Sequence, residues 1–414
     1  MGPVLIFDKS TLQSLSLDEA VWLDNFYITN ITPLFFIETL ADLEKAIKQG
    51  RTPEQIVGSI ALKTPKCGAS PNVSHLQLCR ASLMGNEVEA RGVPVLGGGI
   101  PVVSADRKGM MYKQSPELEA FHRWQDGKFL EVERGFAKSW REGLSKLDFA
   151  ETYRQLRPFL ERGQKPRELH EVKELVDRLL RREGYQFAML NLATQVLGVP
   201  ASLKPDIVRR WKSLGAPLLP DFAPYAAYVF GVELFFSFGL AADLISRDRP
   251  SNRIDIAYLE YLPFCMVFAS NDRLHERTVP LFLRDYQKFI GGQELKSDLK
   301  SLDDYYSCLP AEVRERGVWS FASYPPPDDS FLVTRLWDRY LPRWRENAKK
   351  QIKLSPEKER ELIERFNRMK DEAKVDYSGR ANNLEPDHVT IERRLPVWMG
   401  KWRILPPEVE KNAK

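Results

Sequence analysis

The stretch Ile254-Asp-Ile-Ala-Tyr-Leu-Glu-Tyr-Leu-Pro-Phe-Cys-Met-Val-Phe-Ala-Ser-Asn-Asp272 organises the chain. Asp255 is expected to open a short amphipathic helix that Pro263 stops. Phe264 to Ala269 is an apolar run bounded by turn residues, the pattern of a strand buried on both faces of a parallel sheet. Ser270, Asn271 and Asp272 follow at once. Asp272 therefore falls at the strand's carboxyl end, where open α/β sheets bind their ligands. A further helix is expected to begin near Thr278, carrying Val279, Leu281, Phe282 and Leu283.

The N-terminus repeats the pattern. Pro3-Val-Leu-Ile-Phe7 is a short apolar strand, and it too ends in an acid, Asp8. Ser16 and Glu19 form a capping box for the helix after it. Ile31-Thr-Pro-Leu-Phe-Phe-Ile-Glu38-Thr-Leu-Ala-Asp42-Leu-Glu-Lys45 reads as a helix, with Leu34, Ile37 and Ala41 near the 3.6-residue period and Pro33 suited to the first turn. Glu38 and Asp42 are four apart and share one face.

Singly, each acid has a plain structural role. Asp8, Asp255 and Asp272 suit helix caps, and Glu38 suits a surface pair with Lys45 or Arg51. Together they supply what a divalent, oxygen-ligated cation needs. A strand ending in Asp, a helical Glu, then Asp, helix, strand and Asp resembles the PIN-like nuclease superfamily over residues 1–60 and 225–290. The resemblance implies a Rossmann-like parallel sheet with Asp8, Glu38, Asp255 and Asp272 as catalytic ligands of Mg²⁺ or Mn²⁺. It implies a nuclease acting on RNA more than DNA. It also implies a long insertion between Glu38 and Asp255, which compact members place much closer together. Ser270 and Asn271 would orient ligands or phosphate.

At 414 residues, two or three domains are expected. The expected fold is α/β: a Rossmann-like parallel sheet of PIN type with a long, mostly helical insertion and a C-terminal helical extension. The core would be discontinuous, from 1–60 and 225–290, with 61–224 as the insertion and 291–414 as the extension. The 61 basic residues exceed the 57 acidic ones by only 4, too small a bias to imply nucleic acid by itself. Cys67, Cys79, Cys265 and Cys308 show no close pairing, which points to a reducing cytoplasm. No signal peptide is expected, because no basic segment precedes Asp8.

The remaining motifs are mostly structural. Val93 to Val103 reads as a hairpin turning at Gly97-Gly-Gly99, not as a phosphate loop, since neither GxGxxG nor GxxxxGK[ST] is present. Cys67, His75 and Cys79 provide only three ligands at no zinc-module spacing. Residues 115–215 are helical and charged, with helices expected from Glu131 to Leu147 and from Pro166 to Arg182. His122 and His170 read as surface residues without an HExxH partner. Phe222 to Ile245 nearly reaches bilayer length, but Glu233 interrupts it, so a buried core helix is expected and no membrane. Buried Glu233 then needs an Arg, a metal or a substrate as partner.

Tyr324-Pro-Pro-Pro reads as a linker. Trp337, Trp344, Trp398 and Trp402 lie among Arg339, Arg343, Arg345, Arg393, Arg394, Lys401 and Arg403. They either anchor the C-terminal segment or stack bases beside phosphate-neutralising cations. Ser355 to Ala373 reads as a charged amphipathic helix, solvated or bound to a partner. Two other functions fit the same residues. One is a non-catalytic scaffold binding a protein partner through the insertion or the C-terminal helix. The other is a small phosphoester hydrolase.

Overall fold

A computed structural model describes residues 2–45, 47, 50–104, 107–146, 165–350, 357–358, 374–375 and 388–407. At its centre are five parallel strands: β1 (Val4–Phe7), β2 (Ile28–Ile31), β3 (Ala69–Pro71), β6 (Val267–Ser270) and β7 (Lys288–Gly291), ordered β3-β2-β1-β6-β7. β1 pairs with β6 in the register Leu5–Val267, Ile6–Phe268, Phe7–Ala269. The chain therefore lays down β1, β2 and β3 outward, then returns to the other side of β1. That reversal makes the crevice between the carboxyl ends of β1 and β6 the switch point of the sheet.

Side-chain alternation along β1 explains why both faces are covered. Val4 and Ile6 enter one core with Phe268, under the helices Pro224–Ala241, His75–Met84 and Leu169–Leu180. Leu5 and Phe7 enter the opposite core with Val267 and Ala269, under Leu17–Phe26, Pro53–Lys63, Gly292–Ser307 and Leu332–Tyr340. Period-two alternation with both sets apolar is what a central parallel strand requires. The architecture is thus α/β with helices on both faces of a Rossmann-like parallel sheet. The sheet recruits β3 from inside the span expected to form the insertion. A second sheet has the order β8-β4-β5-β9, formed by β4 (Ile100–Ser104), β5 (Arg107–Tyr112), β8 (Lys374–Val375) and β9 (His388–Ile391).

Several local expectations shift. Asp255 does not open its helix: it lies within Asn252–Ala257, which runs directly into a 3-10 helix, Tyr258–Phe264, that contains Pro263. Tighter winding accommodates the proline, so the strand begins later than expected, at Val267. The helix expected near Thr278 instead spans Arg273–Thr278 and starts from Asp272. The hairpin turns between Ser104 and Arg107 and not at Gly97 to Gly99, because Arg107 and Lys108 are strand residues despite their polarity. β7 is a strand that the sequence does not mark. It lies at the edge of the sheet, and of its four residues only Ile290 is fully buried. The Pro33–Leu40 helix begins as expected, with Thr32 capping and Pro33 in the first turn. The Leu169–Leu180 helix falls inside the expected span. The Glu131–Ser145 helix ends near the expected boundary, and its last expected residue, Leu147, lies outside the described residues. Nearly all of the expected 355–373 helix also lies outside them.

Pro224–Ala241 is long and apolar enough to cross a membrane, yet two thirds of it, 67%, is buried in protein. It acts as the central helix of one core. The tryptophans resolve differently from one another. Trp337, Trp344 and Trp402 are buried anchors, whereas Trp398 is exposed. Asp303 is the polar nail of this anchoring. Its Oδ1 accepts from Trp22 Nε1 at 3.2 Å and Trp402 Nε1 at 2.8 Å, and its Oδ2 binds Lys401 Nζ at 2.7 Å. Asp303→Ala would leave two buried indole N–H groups unpaired and is expected to cost about 2–3 kcal/mol. Chemical denaturation measures this directly; a loss under about 0.5 kcal/mol would show that water replaces the carboxylate.

Candidate functional site

Three strand ends deliver the acids. β1 ends at Phe7, and Asp8 turns the chain into the Lys9–Ser14 helix by accepting the Thr11 N–H at 2.8 Å. β6 ends at Ser270, and Asp272 caps Arg273–Thr278 by accepting the N–H groups of Leu274 and His275 at 2.6 and 3.4 Å. The capping roles expected for these two residues are therefore real. At Asp272 the cap occupies Oδ1 alone, whereas both oxygens of Asp8 accept hydrogen bonds. β2 leads through Thr32 into the helix that carries Glu38.

Ser270 joins the two strand tips. Its Oγ donates to Asp8 Oδ2 at 2.8 Å, accepts the Asp272 N–H at 2.9 Å and lies 2.7 Å from His275 Nδ1. Ser10 Oγ also donates to Asp8 Oδ2, at 2.8 Å. His275 is fully buried, and its Nε2–H donates to the Asp255 carbonyl at 2.7 Å. This ties the Asn252–Ala257 helix to the end of β6. Asn271 is exposed, and its amide fills the space that a Cβ on Gly292 would need.

Glu38 is gripped from both sides. Tyr258 Oη donates to Oε2 at 3.0 Å, and Lys9 Nζ lies 3.3 Å from Oε1. Lys9 Nζ also contacts Asp42 Oδ1 at 3.0 Å. Asp42 sits in the 3-10 turn Ala41–Glu44, where Lys45 Nζ and Arg141 Nη2 reach it at 2.6 and 3.6 Å.

The four principal candidates share one electrostatic environment. Asp255 shows it most clearly: burial, then the charges of Asp272, Glu38 and Asp8, push its carboxyl group up to about 8, against the opposing pull of Lys9. No hydrogen bond from the described residues reaches the Asp255 carboxyl group. The donor set is all oxygen, the kind that hard divalent cations take. Among the described residues, no three His, Cys, Asp or Glu side chains are gathered tightly enough to hold one metal ion as they stand.

Glu233, a reserve candidate, belongs elsewhere. Its Oε1 pairs with Arg253 Nη2 at 2.5 Å, so the arginine partner expected for it is present. Next to this pair lies Glu260, fully buried, with His75 Nε2 at 3.1 Å. Burial and the neighbouring Glu233 carboxylate hold Glu260 well above the ordinary carboxyl range, against the pull of Arg253. Burial holds the His75 imidazole down to about 4. Cys67 and Cys79 are free thiols and make no metal cluster with His75 among the described residues.

Lys9, Tyr258 and His275 escaped the sequence reading. Tyr258 carried a faint signal, since it follows Asp255 by three residues and so shares its face. Lys9 carried none beyond its adjacency to Asp8.

No protein-family model matches the chain, and neither do any curated proteins or solved structures.

Proposed function

We propose that the chain is a metal-dependent nuclease of PIN-like type, cleaving phosphodiester bonds of RNA in preference to DNA. One observation carries this reading. Acids from distant parts of the chain lie near the switch point, and burial, followed by the charges of Asp272, Glu38 and Asp8, raises Asp255 to about 8. Lys9 offsets only part of this cost, and a divalent cation would relieve the rest.

Asp8, Asp255, Asp272 and Glu38 would hold Mg²⁺ or Mn²⁺. When bound, the ion would supply an activated water and charge stabilisation at the scissile phosphate. The protein's own part is positioning. Ser270 fixes Asp8 against the tip of β6, and the cap at Asp272 leaves its Oδ2 for the site. Asp255, unbonded at its carboxyl group, is the arm that rotates to complete the ligand set. Exposed Asn271 stands beside Asp272 to orient a phosphate oxygen.

The test is cleavage of labelled single-stranded RNA and DNA with Mn²⁺, Mg²⁺ or EDTA, comparing wild type with Asp272→Asn. Asn caps helices about as well as Asp, so folding should survive the loss of one ligand charge. Metal-dependent RNA cleavage that disappears in the variant is the expected result. The capping bonds of Asp8 and Asp272 favour a second reading, a non-catalytic scaffold. Inert wild-type protein that also fails to bind Mn²⁺ by calorimetry would establish it instead.

A further inference from the structure

We propose, on the reading of the chain as an RNA nuclease, that a cleft beside the tip of β3 is a second binding site and takes one nucleobase of the strand. The cleft has a volume of about 480 Å³, within the roughly 300–1,000 Å³ of small-ligand sites. Its floor is the carboxyl end of β3, from Ala69 to Asn72, and its far wall comes from the second sheet, at Tyr112 of β5 and Ile391 of β9. The strands of the main sheet are parallel, so the cleft lies on the same side of it as Asp8 and Asp272. β3 is two strands from β1, a lateral offset of about 10 Å at ordinary strand spacing. The Pro33–Leu40 helix links the two places, with Pro33 lining the cleft and Glu38 among the acids.

Hydrogen bonds fix the walls. The Asn72 side chain accepts the Val95 N–H at 2.7 Å and donates to the Val73 carbonyl at 3.0 Å, while the Val73 N–H donates to the Val95 carbonyl at 2.9 Å. These bonds hold the Gly97–Gly99 loop beside the tip of β3. A Cβ on Gly99 would lie 2.9 Å from the Tyr112 ring, so glycine lets the loop close on that wall. Arg393 Nη1 donates to the carbonyls of Lys66 and Ala69 at 3.2 and 2.5 Å and fastens the second sheet to β3. The lining suits a neutral, flat ring with a polar edge. Two cations, Lys113 and Arg393, are matched by two acids, Glu117 and Glu392, so no excess charge calls for a phosphate. Pro33, Pro71 and Tyr112 offer apolar faces, and an aromatic ring can stack a base. The amides of Gln77 and Gln114 and the hydroxyl of Ser70 have no hydrogen-bond partner among the described residues. An amide presents donors and an acceptor together, which the edge of a base complements.

The experiment uses nucleosides without metal. Adenosine, guanosine, cytidine and uridine are titrated into the full-length protein in EDTA, and binding is read by saturation-transfer NMR and calorimetry. Wild type, Tyr112→Ala and Gln77→Ala are compared. Wild type should bind at least one of the four. Tyr112→Ala should weaken that binding by about tenfold or more, the scale of one lost base–aromatic stack. Gln77→Ala should weaken it by about two- to tenfold, the scale of one lost hydrogen bond. Gln77 is exposed, so its variant keeps the fold and decides the matter if Tyr112→Ala does not fold. No nucleoside bound by wild type would overturn the role of the cleft, while metal-dependent cleavage of RNA by the same protein would leave the nuclease reading intact. Binding that the folded variants leave unchanged would put the base elsewhere and overturn the role of the cleft too. Nucleoside bound in the cleft of a protein that cleaves no RNA would overturn the nuclease reading and leave the cleft as a nucleoside site.

Discussion

Asp255→Asn is expected to make the metal-free protein more stable at pH 8 while abolishing cleavage. Burial, Asp272, Glu38 and Asp8 together raise the Asp255 carboxyl group from an ordinary 3.8 to about 8. The folded protein therefore holds a proton that the unfolded chain gives up. The resulting stability is fully present below pH 3.8 and is lost as the pH climbs through about 8. Each pKa unit corresponds to about 1.4 kcal/mol. Side-chain relaxation and water penetration reduce the full shift, so a gain of about 2–3 kcal/mol at pH 8 is expected for the neutral, nearly isosteric Asn. At pH 4 the two proteins should differ little.

Denaturation in EDTA at both pH values measures the effect. Saturating Mn²⁺ should reverse the order, because only wild type gains the binding energy of the ion. Cleavage by the variant should fall by about 10²-fold or more, the scale seen when one charge-stabilising group is removed from a preorganised site. Equal stability of the two proteins at pH 8 without metal would show that the four acids do not share one field, and would remove the main support for a metal site.

The parts of this site that were legible in the sequence are those specified by a single segment. Val4 to Phe7 is apolar at every position and then stops at Asp8, and Val267 to Ala269 is apolar and followed within three residues by Asp272, so strand and strand tip could be read together. Glu38 followed from the helix that Thr32 and Pro33 start. The hidden parts depend on pairs far apart in the chain. Tyr258 meets Glu38 across 220 positions, and Lys9 meets Asp42 across 33. Nothing local marks either contact. A lysine beside Asp8 looks like a surface residue until the turn carrying Asp42 folds over it. β7 was illegible for a different reason: Lys288 and Gly291 obscure a short edge strand whose register comes from pairing with β6. The shifted start of β6 has a third cause, since the 3-10 winding of Tyr258 to Phe264 absorbs apolar residues that alone suit a strand equally well.

Arg253→Met is expected to destabilise the fold by about 3 kcal/mol, and its consequences should reach the acidic site. Methionine retains much of the arginine stem, so packing near Phe236, over whose ring the guanidinium lies at 5.7 Å, is largely kept. What disappears is the charge that balances Glu233 and moderates Glu260. Glu233 Oε1 would lose its 2.5 Å partner while its side chain stays 16% exposed. Glu260, fully buried, offers no compensation, because burial and the Glu233 carboxylate already hold it above the ordinary range. Breaking a buried pair by removing one partner costs about 3–5 kcal/mol, and the 31% exposure of the Arg253 side chain places this case at the lower end.

The double variant Arg253→Met/Glu233→Gln should recover part of the loss, since the stranded charge is then gone too. Additive losses in that cycle would mean the pair contributes no coupling. Arg253 lies two residues before Asp255 in the same short helix, Asn252–Ala257. That helix is fastened on one side by Arg253 to the Pro224–Ala241 helix and on the other by the Asp255 carbonyl to His275. Loosening the first fastening should shift Asp255 and weaken Mn²⁺ binding by about tenfold, the lower end of the range for groups that orient metal ligands. Unchanged Mn²⁺ affinity in a folded Arg253→Met variant would show that the His275 contact alone positions Asp255.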